Sequence, residues 1–241
     1  MKKVIIGLVS LLLVGCSEFT APNYSNNKDT IADPPISSSI PTNADKEIVG
    51  GVVVEVMDGN QFKVKIQEDA LINGIGLSKG EVIIVRMLLS QAPSRIDQMP
   101  FGEEAYAFLY SLIMGKPVEL EFEPEHMVDS MGNYLAYTYV EDNRIQDILI
   151  KNGFAKLASQ DLTSTYENEF KKLEQLAISN EEGIWSLPNY VNMEEGFNAF
   201  ILESSNISLQ QIEDLEQKLL TKGNTLKENL FNLIETEIPE N

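Results

Sequence analysis

The residue types that most often carry metal or redox chemistry are scarce in this chain of 241 residues. It has one cysteine, Cys16, and one histidine, His126. A single residue of each type excludes a disulfide framework and any zinc site assembled from cysteine and histidine ligands. His126 lies in an acidic loop and is interpreted as a solvated side chain. Among the arginines, Arg86 interrupts an otherwise apolar run at 82–89.

The balance of charged residues argues against binding to polyanions. The chain has 37 Asp and Glu residues against 18 Lys and Arg, a formal net charge of -19. Binding to DNA or RNA depends on basic side chains that release counterions from phosphates. Residues 48–189 alone carry 22 acidic and 11 basic side chains, so the acidity is not confined to a tail. Nucleic acid is therefore disfavoured as a partner.

The position of Cys16 predicts where the protein resides. Two lysines precede an apolar run at 4–14, which has the charged flank of a secretory signal and is too short to span a bilayer. The string LVGC at 13–16 resembles the lipobox of bacterial lipoproteins, and a buried core cysteine is the alternative. The resemblance implies cleavage of a signal peptide, residues 1–15, and a lipid on the Cys16 thiol. We expect an extracytoplasmic protein of the bacterial cell envelope, anchored to the membrane through Cys16.

The segment that follows, residues 16–47, predicts a flexible tether. It is rich in Ser, Asn, Pro and Asp and lacks apolar periodicity. Such a segment cannot bury enough apolar surface to offset its ordering entropy. The folded part is therefore expected to begin near residue 48.

Apolar alternation beyond the tether predicts a small β-barrel with helices. The expected strands are 52–57, 62–66, 82–89, 118–122 and 134–140, and the expected helices are 100–114, 145–151 and 163–179. Five strands with a helix between the third and fourth favour an OB-type Greek-key barrel. The predicted fold class is α+β, mainly β, with this barrel and its packed helices at 48–189 and a helical extension at 190–241.

Several short strings in the barrel region resemble the staphylococcal nuclease (thermonuclease) family. They are MDG at 57–59, VRMLL at 85–89 followed by AP at 92–93, FGEEA at 101–105, DSMG at 129–132 before LAY at 135–137, NGFAK at 152–156 and GIW at 183–185. Their order and spacing carry the resemblance, over about residues 50–187. It implies Ca²⁺-dependent cleavage of phosphodiester bonds, in which carboxylates hold the cation, a glutamate is the general base and two arginines stabilise the transition state.

Most positions that perform this chemistry in the family are substituted here. The resemblance places the metal ligands at Asn60 and Gln91, the general base at Ser94 and the two arginines at Arg86 and Asn133. Only Arg86 keeps the family's residue type. Neutral amides weaken a Ca²⁺ site, a serine hydroxyl does not accept a proton near neutral pH, and asparagine cannot donate a charge-assisted fork to phosphate. We therefore expect no catalytic set, no metal site and no cofactor.

An active enzyme with a rearranged site is the alternative. Asp58, Arg95 and Asp97 could take over if the loop register differs by a few residues, and Ca²⁺ would then be the cofactor. Structural roles are open for the same side chains. Asp58 can belong to an Asp-Gly hairpin turn, and Arg86 can pair with a carboxylate across the barrel mouth.

Other conspicuous side chains are interpreted as structural. Trp185 is expected in the core or against a helix. The glutamates Glu119, Glu121 and Glu123 alternate along one strand and are expected to form a solvated face.

The extension at 190–241 lies outside the resemblance and predicts a helical hairpin. Capping boxes precede helices at 209–222 and 226–235, which are expected to meet at Gly223. Their apolar stripes must be buried, against the barrel, the 193–202 segment or a second protein.

Two functions remain open from the sequence. The first is a membrane-anchored lipoprotein whose degenerate nuclease-like domain acts as a binding or interaction module. The alternative is a divalent-metal-dependent extracellular nuclease that hydrolyses DNA or RNA with a rearranged site. Whether the protein is an enzyme is thus left to the structure of the site.

Overall fold

The structure, a computed structural model, describes residues 47–158, 164–201 and 207–236, with side chains described up to residue 230. The predicted signal peptide, the lipidation site Cys16 and the tether up to residue 46 lie outside the described residues. No helix within the described ranges is long and apolar enough to cross a membrane.

The strands follow the predicted alternation closely. They are β1 (Glu47–Asp58), β2 (Gln61–Ile66), β3 (Ala70–Ile72), β4 (Ile75–Leu77), β5 (Val82–Met87), β6 (Ser90–Gln91), β7 (Pro117–Phe122), β8 (Tyr134–Val140), β9 (Asn143–Arg144), β10 (Lys156–Leu157), β11 (Val191–Asn192) and β12 (Gly196–Phe197). On β2, for example, Phe62, Val64 and Ile66 are buried while Lys65 is exposed. The short strands β3, β4, β6 and β9 to β12 were not predicted.

Strand pairing closes a five-stranded barrel. The strand β1 pairs antiparallel with β2 and with β7, β2 continues to β5, and β7 continues to β8. The barrel closes because β5 pairs parallel with β8, from Val85 opposite Tyr134 to Met87 opposite Ala136. The predicted α+β fold with a five-stranded OB-like barrel is confirmed.

The longer helices within the described ranges are α1 (Gly102–Ile113), α2 (Ile145–Lys151), α3 (Glu167–Ser179) and α4 (Leu209–Thr236). The helix α3 begins later than predicted, because Tyr166 occupies the position before its first turn. The strand β1 begins earlier than predicted, because Glu47 to Val52 pair with Phe122 to Pro117.

The predicted helical hairpin is wrong, since α4 is one continuous helix. Gly223 indicated a break, but it is buried inside the helix. A Cβ atom there would lie 3.1 Å from Phe108 Cδ2 and 3.1 Å from Phe154 Cζ, two rings that stack with centroids 4.1 Å apart. The glycine therefore permits close packing rather than a turn.

The helix α4 packs against the same domain. Ile212 and Leu219 are buried, the backbone N–H of Phe101 donates to Glu216 Oε1 at 3.0 Å, and Lys222 Nζ lies 2.7 Å from Glu182 Oε2. The expectation that its apolar stripe is buried against the barrel and its helices is confirmed. A protein partner for the C-terminal region stays a prediction.

Candidate functional site

The turn between β1 and β2 holds Asn60 beside the barrel mouth. Asn60 is buried, and its Nδ2 donates to the carbonyl oxygen of Ser90 at 2.6 Å. Asp58 Oδ1 accepts the backbone N–H groups of Gly59 at 2.9 Å and of Arg95 at 3.0 Å. Asp58 thus stabilises the turn and the next loop, as the structural interpretation proposed.

Arg86 projects from β5 and pairs with a carboxylate across the barrel mouth. Its Nη1 lies 3.6 Å from Asp129 Oδ2, and the side chain remains nearly half exposed. This agrees with the structural role considered for Arg86. The pair partly neutralises Arg86, which is the retained one of the two arginines that the family's chemistry uses.

The loop before β8 explains why Asn133 does not act as an arginine would. Asn133 Nδ2 donates to Asp129 Oδ2 at 2.8 Å, and the backbone N–H groups of Met131 and Asn133 donate to Asp129 Oδ1. Burial alone would raise the pKa of Asp129, but these hydrogen bonds and the nearby Arg86 lower it overall. Asn133 therefore stabilises the loop through Asp129, the carboxylate that also pairs with Arg86.

A cleft of about 250 Å³ opens beside these residues. It is lined by Asn60, Arg86, Met87, Ser90, Gln91, Leu135, Ala158, Glu194 and Glu195. The structure thus brings together three of the five family positions: Asn60, Arg86 and Gln91. Among the described residues that line the cleft, the carboxylates are those of Glu194 and Glu195.

The position of the general base, Ser94, does not line this cleft. Its Oγ accepts the backbone N–H of Asp97 at 3.2 Å, and its carbonyl oxygen accepts the N–H of Met99 at 3.0 Å. The arrangement is a local turn that leads into α1. None of these contacts, among the described residues, brings a basic side chain to the Ser94 hydroxyl.

The rearranged set Asp58, Arg95 and Asp97 does not assemble in the cleft either, as none of the three lines it. The Arg95 guanidinium stacks over Tyr106, 3.9 Å from the ring centroid, and its Nε lies 3.9 Å from Glu103 Oε2. Arg95 therefore packs against α1, and the rearranged-site alternative stays a prediction.

The two glutamates of the cleft belong to the hairpin formed by β11 and β12, which the sequence did not predict. Asn192 Oδ1 accepts the backbone N–H groups of Glu194 at 2.9 Å and Glu195 at 3.0 Å. Gly196 follows with φ +110°, a conformation that favours glycine. The Asn-to-Gly spacing at 192–196 is the one sequence signal that could have indicated this turn.

A buried lysine connects this hairpin to the barrel. Lys156 is fully buried, and its Nζ donates to the carbonyl oxygens of Met193 at 3.0 Å and Leu157 at 3.2 Å. Burial lowers the pKa of Lys156, and it raises the pKa of Glu174, whose Oε1 accepts the N–H of Leu157 at 2.7 Å. The hairpin tip is thus held by polar contacts made inside the protein.

The predicted solvated face of β7 is wrong for Glu121. This carboxylate is buried and accepts hydrogen bonds from Tyr139 Oη at 2.8 Å and from Tyr166 Oη at 3.0 Å. Glu123 likewise accepts from Tyr137 Oη at 2.8 Å, while Glu119 is exposed as expected. The region from Tyr166 to α3 covers this part of the sheet, where Glu121 is buried and Glu123 half-buried with hydroxyl partners.

The remaining predicted structural residues are half-buried. Trp185 packs against the core, as expected, and its Nε1 is buried without a described partner. His126 is intermediate in exposure, and its backbone N–H donates to the carbonyl oxygen of Glu123 at 2.9 Å. Across the described ranges, no group of three or more His, Cys, Asp or Glu side chains is arranged to hold a metal ion.

The closed barrel, with Arg86 on its third long strand and the turn at Asn60 beside it, is typical of the staphylococcal nuclease class. Residues 84–187 match the family model described as staphylococcal nuclease homologue, so the chain carries a staphylococcal nuclease-like domain. The match begins within β5. The first two barrel strands, which the sequence resemblance included, lie before it.

Two curated relatives come from Bacillus subtilis (strain 168). The SPbeta prophage-derived endonuclease YokF is 29% identical over 232 residues, which cover 85% of this chain and 73% of the relative. Endonuclease YncB is 29% identical over 215 residues, which cover 83% of this chain and all of the relative. The similarity thus extends beyond the matched domain.

Proposed function

We propose that this protein is a non-hydrolytic binding module built on a staphylococcal nuclease-like domain. The observation that supports it most directly is the content of the cleft. Amide side chains stand at both metal-ligand positions, and the base position holds a serine that faces another turn. The loss of a general base alone costs about 10²- to 10⁴-fold in rate, and the loss of electrostatic stabilisation adds to it.

The charge of the domain supports the same proposal. A polyanionic substrate would have to approach a domain with twice as many acidic as basic residues at 48–189, and the arginine in the cleft is already paired with Asp129. Electrostatic attraction normally raises the local concentration of a charged substrate at its site. Here the negative charge of the domain would oppose the approach of DNA or RNA.

The membrane anchor is a further part of the proposal. It is supported by the string at 13–16, which has the lipobox pattern, and by the tether-like composition of residues 16–47. Acyl chains contribute about 0.8 kcal/mol per buried CH₂, so two chains suffice for stable anchoring. Detergent-phase partitioning of the expressed protein tests this, and a variant that begins at residue 17, without the apolar run and Cys16, is expected to move to the aqueous phase.

A cleavage assay tests the absence of hydrolysis. The purified mature protein is incubated with single-stranded DNA and RNA in the presence of Ca²⁺, with B. subtilis endonuclease YncB as the reference. We expect no turnover above the buffer blank. Turnover that a chelator abolishes, and that the Arg86→Ala variant loses, would overturn the proposal.

A divalent-metal-dependent endonuclease with a rearranged site is the second candidate. Two observations favour it: the relatives are named endonucleases, and Glu194 and Glu195 bring carboxylates into the cleft from outside the matched domain. If the protein cleaves nucleic acid, the variants Glu194→Gln and Glu195→Gln are expected to be inactive. Cleavage that survives in both variants would exclude this form of the site.

A further inference from the structure

The cleft combines one basic side chain with two acidic ones. Among the described residues that line it, Arg86 carries a positive charge, and Glu194 and Glu195 carry negative charges. The glutamates lie at the tip of the β11–β12 hairpin, outside residues 84–187. The charge of the cleft therefore depends on an element beyond the matched domain.

Arg86 retains the donors that a phosphate group requires. Its contact with Asp129 is 3.6 Å long, its side chain is nearly half exposed, and it forms no shorter polar contact with a described residue. A guanidinium has five N–H donors and binds phosphate oxygens through two parallel hydrogen bonds. Arg86 is thus the side chain of this cleft to which a phosphate would bind.

The two glutamates of the hairpin tip keep their negative charge. Within the described part of the chain, neither forms an ion pair with a lysine or an arginine. Glu195 Oε2 accepts a hydrogen bond from Asn192 Nδ2 at 3.1 Å, which is a neutral donor. Both carboxylates therefore act on the cleft without a compensating charge.

The position of these charges is held by contacts between the hairpin and the barrel. The buried Lys156 Nζ donates to the carbonyl oxygen of Met193 at 3.0 Å. A Cβ atom on Gly196 would lie 2.8 Å from Gln91 Nε2, so glycine is required where the hairpin backbone passes this amide. Because both ends of the tip are held, the carboxylates stay beside the cleft.

The size of the cleft allows the glutamates to act on a ligand of Arg86. Exposed charges interact over about 10 Å at 0.1 M salt, beyond which ions screen them. A cleft of about 250 Å³ brings its lining groups within a comparable distance. A phosphate bound to Arg86 would therefore be repelled by the charges of Glu194 and Glu195.

We propose that Glu194 and Glu195 determine the charge selectivity of the cleft by excluding phosphate-bearing ligands from Arg86. This inference rests on the proposed function, because it takes the cleft as the binding site of the module. It adds that the cleft rejects phosphodiesters and phosphate esters and admits ligands without phosphate. The exclusion acts from the hairpin tip and is distinct from the general acidity of the domain.

Binding of a fluorescently labelled ten-nucleotide single-stranded DNA, followed by anisotropy in EDTA and about 50 mM NaCl, tests the proposal. The Glu194→Gln/Glu195→Gln variant is expected to bind several-fold more tightly than the wild type. The gain is expected to shrink at about 500 mM NaCl, because salt screens exposed charges. Adding Arg86→Ala to this variant is expected to remove the gain.

The matched control removes two adjacent exposed carboxylates elsewhere. The variant Glu213→Gln/Asp214→Asn changes the net charge by the same amount on the exposed face of α4. It is expected to bind the DNA as weakly as the wild type does. The proposal is overturned by the absence of a gain without Glu194 and Glu195, by an equal gain in the control, or by a gain that survives Arg86→Ala.

This selectivity and the proposed function can fail separately. Because EDTA removes divalent cations, the binding assay does not depend on hydrolysis. The absence of a gain overturns the selectivity and leaves the non-hydrolytic proposal standing. Ca²⁺-dependent cleavage by the wild type overturns the non-hydrolytic proposal, whereas the selectivity is still decided by the binding measurements.

Discussion

The Nζ atom of Lys156 lies 3.0 Å from the carbonyl oxygen of Met193, one residue before the glutamates of the cleft. A buried amine thus holds the tip of the β11–β12 hairpin, which no strand of the barrel pairs with. The strand that carries Lys156, β10, pairs with β6 through Gln91. Lys156 therefore connects both walls of the cleft. Its side chain holds Met193 of the hairpin, and its backbone pairs with Gln91.

Replacing Lys156 with methionine is expected to release the hairpin while keeping the buried volume. The carbonyl oxygens of Met193 and Leu157 would lose their donor, at a cost of about 1–3 kcal/mol. A protease that cleaves after glutamate is expected to cut at 194–195 several-fold faster than in the wild type. The exposed Lys172→Met variant is the control, and equal cleavage rates in the two variants would contradict the role of Lys156.

Removal of the Glu121 carboxylate is expected to destabilise the barrel. In the Glu121→Ala variant the hydroxyls of Tyr139 and Tyr166 lose a buried acceptor and keep the 3.4 Å contact with each other, so we expect a loss of about 1–3 kcal/mol in total. Urea denaturation measures the free energy of unfolding. Glu119→Ala on the same strand is exposed and is expected to change it by less than about 0.5 kcal/mol. Similar losses in both variants would show that the hydrogen bonds of Glu121 contribute little.

A larger side chain at residue 223 is expected to separate α4 from the Phe108–Phe154 stack. Gly223→Val puts methyl groups where even a Cβ atom would lie 3.1 Å from both rings, and such overpacking costs about 1–3 kcal/mol. The next residue is exposed, so Asn224→Ala is expected to stabilise the helix by about 0.5 kcal/mol or less. Thermal unfolding distinguishes the two, and a Gly223→Val variant as stable as the wild type would contradict this packing.

The barrel could be predicted from the sequence because its strands are amphipathic over several residues. On β2 the alternation of Phe62, Val64 and Ile66 with polar neighbours determines which side faces the core. Such a pattern is local and repeats along each strand. The closing pair of β5 and β8 joins segments that are distant in sequence, and it was anticipated only through the fold class.

Side chains whose environment depends on distant segments could not be predicted in this way. Glu121 alternates like a solvated residue, but Tyr139 and Tyr166 provide hydroxyl partners that make its burial tolerable. Gly223 looks like a helix stop, and only its distance to Phe108 explains its presence inside a helix. In both cases the deciding contact comes from an element that the local pattern does not describe.

The candidate site also combines residues that could be predicted from the sequence with residues that could not. Asn60, Arg86 and Gln91 were located through the family resemblance, and the structure brings them together. Glu194 lies on a hairpin of two-residue strands outside that resemblance, and strands this short carry no periodicity. Its position on the cleft depends on the Lys156 contact, which is long-range in sequence.

The interface between α1 and α4 is expected to weaken as the pH rises. Burial, together with Glu216 and Glu103, raises the pKa of Glu104 above its ordinary value of 4.5. The folded protein therefore holds this proton to a higher pH than the unfolded chain does, and stability falls as the pH rises from 4.5 through the raised pKa. The Glu104→Gln variant cannot ionise and is expected to escape this loss. Denaturation by urea between pH 4.5 and pH 8 should show its advantage over the wild type growing with pH, whereas the exposed Glu228→Gln variant should show no such trend. An advantage that is constant across this range would mean that the ionisation of Glu104 does not oppose the packing of α4.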